Sequence, residues 1–191
     1  MIGVRIALVA LALSAGGCAL TSKADPIEIT YVRPDHVPLG AAGARRPLRI
    51  DAVSSGEALG RTLLTVEGGL VRPSESLQWT EIPAIYVKRA LGRTLFEAEP
   101  GQLPGFRRDL GRESPRLKVE LLRFEWAKRP KAGGPVRVEC RFTLWKGDRA
   151  LLERTILTEA NAADPSQLGR AFAEALAALA RQARAAIQST P

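Results

Sequence analysis

The chain has 191 residues, 46% hydrophobic and 25% charged, with 28 basic against 20 acidic side chains and a formal net charge of +8. That length suits one ordinary domain with a real core and argues against a second of similar size. One histidine, His36, and two cysteines, Cys18 and Cys140, leave no recognisable zinc-ligand set.

The N-terminus carries Arg5, an apolar run from Ile6 to Leu13, then Ser14, Ala15, Gly16, Gly17 and Cys18. The run is far shorter than the roughly 20 residues a membrane-crossing helix needs, so it reads as a cleaved export signal. Leu, small residues and then Cys resembles the lipobox of bacterial lipoproteins, which makes Cys18 the expected acylated residue. The alternative is an ordinary secretory signal that ends near a cysteine. In that family of signals an Asp after the cysteine commonly retains the product in the inner membrane. Ala19 stands there instead, and the resemblance implies the outer membrane.

Removing residues 1–17 leaves 27 basic and 20 acidic residues, a net charge of +7. An exported protein meets no cellular nucleic acid, so the expected partners of this basic chain are anionic lipid head groups or acidic proteins. With Cys18 acylated, Cys140 is the sole remaining thiol and no internal disulfide can form.

The expected organisation is a signal peptide over 1–17, a lipidated N-terminus and tether over 18–46, and a single domain over 47–191. The tether holds one short possible strand, Glu28 to Val32. In the domain, Leu48, Ile50 and Ala52 alternate with Arg49, Asp51 and Val53, the period of a strand with unlike faces. Gly68 and Gly69 separate Thr62–Glu67 from Leu70 and Val71, a tight hairpin signal, and Pro73 should end the pairing. Thr80 is the expected cap of a first helix, with Glu81 at its positive end, Pro83 in its first turn and Val87, Leu91 and Leu95 as its apolar stripe.

A turn-rich stretch, Glu99 to Pro115, follows. Leu117, Val119 and Leu121 then share one phase and Leu122, Phe124 and Trp126 the other, which points to a bulge or to a strand buried on both sides. Val136, Val138, Cys140, Phe142 and Leu144 form the core set of the clearest strand. Lys146–Arg149 turns into a third strand of a meander over Leu151–Thr158. Asp164, Pro165 and Gln167 open the second helix in the manner of a capping box. Leu168, Phe172, Ala175, Leu176, Leu179, Ala183 and Ile187 are its buried face. The fold class is α/β: a single domain whose mixed sheet, a hairpin plus an antiparallel meander, packs against two amphipathic helices.

Catalytic equipment is sparse. His36 lies in the tether, and Cys140 falls in the apolar phase of its strand. The carboxylate pairs Glu120 with Glu125 and Glu139 with Glu153 alternate with basic residues as solvated faces do. The chain is therefore expected to bind or assemble rather than catalyse, with no cofactor and no metal.

The run Gly68, Gly69, Leu70, Val71, Arg72, Pro73, then Leu77, Gln78, Trp79, Thr80, Glu81, Ile82, Pro83 before the first helix resembles the ABC-type transport auxiliary lipoproteins. The later meander and the Asp164–Pro165 helix are also similar, so the resemblance spans Pro47 to Ile187 together with Cys18. It implies an outer-membrane lipoprotein on the periplasmic face, auxiliary to an Mce-type ABC lipid transport system, docked on an Mce-domain protein and assembled as a homo-oligomer. Two places are open to Trp79, an interface or a site packed under the first helix. Trp145, in the polar phase of its strand, is the other candidate interface residue. A structural or assembly lipoprotein of another outer-membrane complex is the alternative function.

Overall fold

The computed structural model describes residues 27–34, 37, 39, 46–56, 59–98, 100–102, 104–109, 111, 113–129 and 132–191. Its strands are β1 (Thr30–Val32), β2 (Arg46–Ser55), β3 (Thr62–Glu67), β4 (Leu70–Trp79), β5 (Phe106–Arg108), β6 (Arg116–Trp126), β7 (Gly134–Lys146) and β8 (Arg149–Ala162). Two helices, α1 (Pro83–Phe96) and α2 (Leu168–Gln188), complete it. All eight strands form one mixed sheet, and both helices pack on it and on each other, as the α/β reading expects.

The meander β6–β7–β8 is antiparallel throughout and carries the expected core set, with Val136, Val138, Cys140, Phe142 and Leu144 all buried. The free edge of β6 divides. Its first half pairs in parallel with β2, and its last two residues pair in parallel with β3. The expected bulge lies between Leu121 and Arg123, where the ladder to β7 slips. One extra residue restores the phase, so Leu117, Val119 and Leu121 before it and Phe124 and Trp126 after it are all buried.

Four local expectations are corrected. A bulge in β2 between Ile50 and Ala52 leaves Ala52 exposed and brings Val53 against the core, so the expected alternation stops at Ile50. Pairing between β3 and β4 breaks after Pro73 as expected, but it resumes at Gln78 after a shift of register, so β4 runs on to Trp79. Thr80 does not cap α1. Ile82 holds that position without a side-chain hydrogen bond, and Pro83 opens the helix. The stretch from Glu99 to Pro115 contains β5, whose three residues pair with Arg46–Leu48 and bury Phe106. So short a strand has no readable period.

The segment expected to be tether is partly domain. Thr30–Val32 pairs in parallel with Leu77–Trp79, and Val32 and Val37 are buried in the main core. Arg46 reaches across to the end of α2, donating to the carbonyls of Gln188 and Thr190 at 3.2 Å each. These carbonyls have no helical partner, and a cation complements that end of the helix dipole.

The expected apolar stripes of both helices are buried without exception: Val87, Leu91 and Leu95 in α1, and Leu168 through Ile187 in α2. Asp164 accepts from the Ser166 backbone N–H at 2.8 Å and caps a short 3-10 turn, Pro165–Gln167, while Gln167 Oε1 accepts from Ala163 N–H at 3.3 Å, one residue before the cap, so the expected capping box is shifted rather than reciprocal. The buried Thr158 hydroxyl on β8 lies 2.9 Å from the Ala175 carbonyl, joining sheet to helix.

The glycine pairs Gly68–Gly69 and Gly133–Gly134 both sit at strand turns, the first as expected. Gly68 and Gly69 have φ of 57° and 83°, the left-handed values a tight hairpin requires. Gly134 is needed for space: a Cβ there would lie 1.9 Å from the Ala127 carbonyl oxygen. Trp126 Nε1 donates to the Gly134 carbonyl at 3.2 Å, closing the β6–β7 connection on itself.

Two outcomes follow. Gly134→Ala destabilises the fold by at least about 3 kcal/mol in urea unfolding, because the clash is with backbone, whereas Gly56→Ala, with open space around it, changes stability by less than about 0.5 kcal/mol. The Asp164 carboxyl is held below its usual 3.8 first by the Ser166 hydroxyl, which outweighs an opposing desolvation, and then by the backbone N–H groups of Ser166 and Gln167. A depressed folded pKa means the cap stabilises above 3.8 and is lost as pH falls through the lower folded value. The melting temperature of Asp164→Asn should therefore fall below that of the wild type at pH 7, and the gap should close under strong acid. A gap independent of pH would contradict this.

Candidate functional site

The residues that carry the family-like motif converge where the N-terminal strand enters the domain. Trp79 N–H donates to the Arg61 carbonyl at 2.6 Å, and Thr80 N–H donates to the Val32 carbonyl at 3.2 Å, so the end of β4 is held by the base of the hairpin and by β1. The Tyr86 hydroxyl on α1 accepts from the Glu81 backbone N–H at 2.9 Å and shares a hydrogen bond of 2.7 Å with the Thr80 hydroxyl. Thr80 thus does its work through a tyrosine rather than through the helix backbone. Glu81 pairs with Arg89, one face further along α1, at 3.0 Å.

Trp79 itself is 1% exposed. Its indole meets Phe172 of α2 edge-on, with ring centroids 4.7 Å apart at 90°, and meets Phe124 of β6 at 4.9 Å and Tyr86 at 6.0 Å. Phe124 and Phe172 stack at 4.6 Å. Edge-to-face contact of this kind adds about 0.5–1.5 kcal/mol to simple burial. The interface role for Trp79 is thereby corrected: a ring enclosed by a hairpin end, two helices and the central strand has no face left for another protein.

Trp145 is half-buried on the side of the sheet away from the helices, beside a cleft formed with Asp51, Arg116, Lys118 and Asp148. Arg116 stands opposite Trp145 in the ladder and donates to the Gly147 carbonyl at 2.7 Å, which braces the β7–β8 turn. Elsewhere on this face the charges are matched across the strands. Glu120 with Arg141, Arg123 with Glu139, and Arg137 with Glu159 pair at 3.2, 2.9 and 2.7 Å, each between directly opposed residues. Such pairs contribute about 0.2–1 kcal/mol apiece, enough to set register and keep the face wet. They also account for Glu120 and Glu139 among the carboxylates weighed for acid–base work; Glu125, expected on a solvated face, is buried instead, with Arg137 3.9 Å away.

Burial pushes the Cys140 thiol far up, with the neighbouring Glu139 carboxylate adding to the effect. The thiolate needed for nucleophilic or metal chemistry is disfavoured there. Cys18 and His36 lie outside the described residues. Among the described residues there is no cluster of three or more metal-binding side chains, and no helix is long and apolar enough to cross a membrane.

Two features escape a reading of the sequence. Tyr86 stands beside the apolar stripe and gives no hint that its hydroxyl will hold Thr80 and Glu81. Arg33, Arg89 and Arg93 line one cleft from two separate segments, and only the four-residue spacing of the last two is visible beforehand.

The model of the ABC-type transport auxiliary lipoprotein component family matches residues 32–183 of this chain. Among solved structures, the chain is similar to protein XCC0632 from Xanthomonas campestris, described as a DUF330 protein. The two are 16% identical, with a TM-score of 0.57 over 84% of this chain and 93% of that one. It is similar also to an uncharacterized protein at 17% identity, TM-score 0.61, over 84% of this chain and 99% of that one. At such identity these likenesses establish the shared fold. None of the curated proteins matches. With 152 consecutive positions covered by the family model, from the last residue of β1 into the later turns of α2, the chain belongs to the ABC-type transport auxiliary lipoprotein component family.

Proposed function

We propose that this chain is an outer-membrane lipoprotein facing the periplasm, which serves an Mce-type ABC lipid transport system as its auxiliary component. What carries the reading is the coincidence of two independent features in one chain: a family match over residues 32–183 and Cys18 directly after a short export segment. Acylation through palmitate-length chains supplies the attachment. One chain binds only marginally at about 0.8 kcal/mol per buried methylene, and several together hold firmly.

The structure sharpens the geometry of this reading. Because β1 already belongs to the sheet, only residues 19–29 separate Cys18 from the domain. Eleven residues span at most about 36–40 Å when extended. The domain therefore works close to the membrane, and pull on the anchor passes through β1 to the Trp79–Pro83 junction. Docking on an Mce-domain protein, as a homo-oligomer, would use the surfaces left open by the helices, among which the Trp145 cleft offers a half-buried aromatic beside mixed charge. Tryptophan is over-represented at binding hot spots.

Cys18→Ala should move the protein from the membrane to the soluble periplasmic fraction and make the envelope more permeable to detergent. Capture through the wild-type domain should recover an Mce-domain protein. Unchanged membrane fractionation of Cys18→Ala would overturn the anchor. Capture of another outer-membrane machine without any Mce-domain protein would favour an assembly role over transport.

A further inference from the structure

We infer that the cleft between the N-terminal segment, α1 and α2 binds an amphipathic anion: a phosphate or carboxylate head carrying an apolar tail. The cleft has a volume of about 320 Å³. That lies at the lower end of small-ligand pockets, about 300–1,000 Å³, and is some ten times the space of one water molecule, about 30 Å³.

Three guanidinium groups line it. Arg89 and Arg93 stand one turn apart on α1, and Arg33 comes from the segment just after β1. Among the described residues only Arg89 of these has a carboxylate, Glu81, and the described lining contains no acidic residue of its own. Asp35 and His36, adjacent in sequence, are outside the described residues. The Nε of Arg93 is shut off from solvent and has no hydrogen-bond partner. A buried, unpaired donor on a cation is unfavourable, and an anion in the cleft beside the Arg93 guanidinium offsets that cost through charge rather than through Nε itself. The planar fork of arginine matches the paired oxygens of phosphate and carboxylate.

The rest of the lining explains the tail. Val37, Tyr86, Ala90 and Leu176, core residues that are nearly covered by their neighbours, form the apolar floor of the cleft. The Tyr86 hydroxyl is already engaged with Thr80 and Glu81, which leaves its ring for the cleft. A bare anion would satisfy the arginines and leave that floor wet. A head with its first methylenes satisfies both. The segment carrying Arg33 leads back to Cys18, so a membrane lipid is the nearest source, and that choice of source rests on the anchored-lipoprotein reading. The anion site itself does not.

The test is calorimetric titration of the full chain in nonionic detergent with three probes: myristoyl lysophosphatidic acid, monomyristoylglycerol and inorganic phosphate. The lysophospholipid should bind at least tenfold more tightly than either of the others. Arg93→Gln and Arg33→Gln should each weaken it at least fivefold, with Arg93→Lys intermediate, while Arg181→Gln, which removes an exposed charge on α2, should leave it within twofold. Equal binding in Arg93→Gln or Arg33→Gln, or an equal loss in Arg181→Gln, would overturn the site. Inorganic phosphate matching the lysophospholipid would overturn the tail, and monomyristoylglycerol matching it would overturn the head. Circular dichroism checks folding, and Arg33→Gln, an exposed position, carries the test should Arg93→Gln not fold. Lost binding with Mce-domain capture intact refutes the site alone. Binding without such capture refutes the transport reading alone.

Discussion

The edge-on contact between Trp79 and Phe172 is the constraint on which the architecture depends. The two rings come from the end of β4 and the second turn of α2, 93 positions apart, and meet over Phe124 of the central strand. A hairpin, a central strand and a C-terminal helix have no local reason to come together. A cluster of large rings with quadrupole-matched edges and faces gives them one, and its directionality favours a single arrangement over general apolar collapse. Tyr86 extends the cluster to α1, and its hydroxyl ties the strand-to-helix corner at Thr80 and Glu81. Through the Thr80 N–H bond to Val32 the N-terminal strand is gathered in as well.

That arrangement makes sense of a domain held from one end. Parallel pairing of β1 with the last residues of β4 sets the entry of the chain directly beside the buried aromatic cluster. A tug on the N-terminus then meets hydrogen bonds backed by rings rather than a loose loop. At the far side of the domain, Arg46 clamps the end of α2, so both ends of the folded chain are fastened to the same body. The helix-free side of the sheet is built differently. Directly opposed ion pairs hold its register while leaving it hydrated, a surface suited to contact that forms and releases.

Much of this was legible beforehand wherever a period ran long enough to be counted. The seven apolar positions of α2 and the five of β7 are buried without exception, because each face repeats over four or more cycles and a slip would expose all of it. Gly68–Gly69 and the Asp164 cap were readable because their chemistry is local. What sequence could not show depends on partners distant in the chain. The bulge that turns β2 from Ile50 to Val53 is decided by β6, and β5 exists only because Arg46–Leu48 offers it an edge. Trp79 was open between surface and core because its three ring partners lie 7, 45 and 93 residues further on. The same holds for the arginine cleft, which the fold assembles from the N-terminal segment and one face of α1. Short-range motifs gave the family-like signature, and the family match then covered what they bracket.

The central claim, that Trp79 and Phe172 hold the two ends of the fold together by direct contact, is tested by a double-mutant cycle. Urea unfolding of the full chain as wild type, Trp79→Leu, Phe172→Leu and the double variant yields the coupling free energy between them. The account predicts a favourable coupling of about 0.5–1.5 kcal/mol. Strict additivity, with single losses summing to the double loss within about 0.3 kcal/mol, would contradict it.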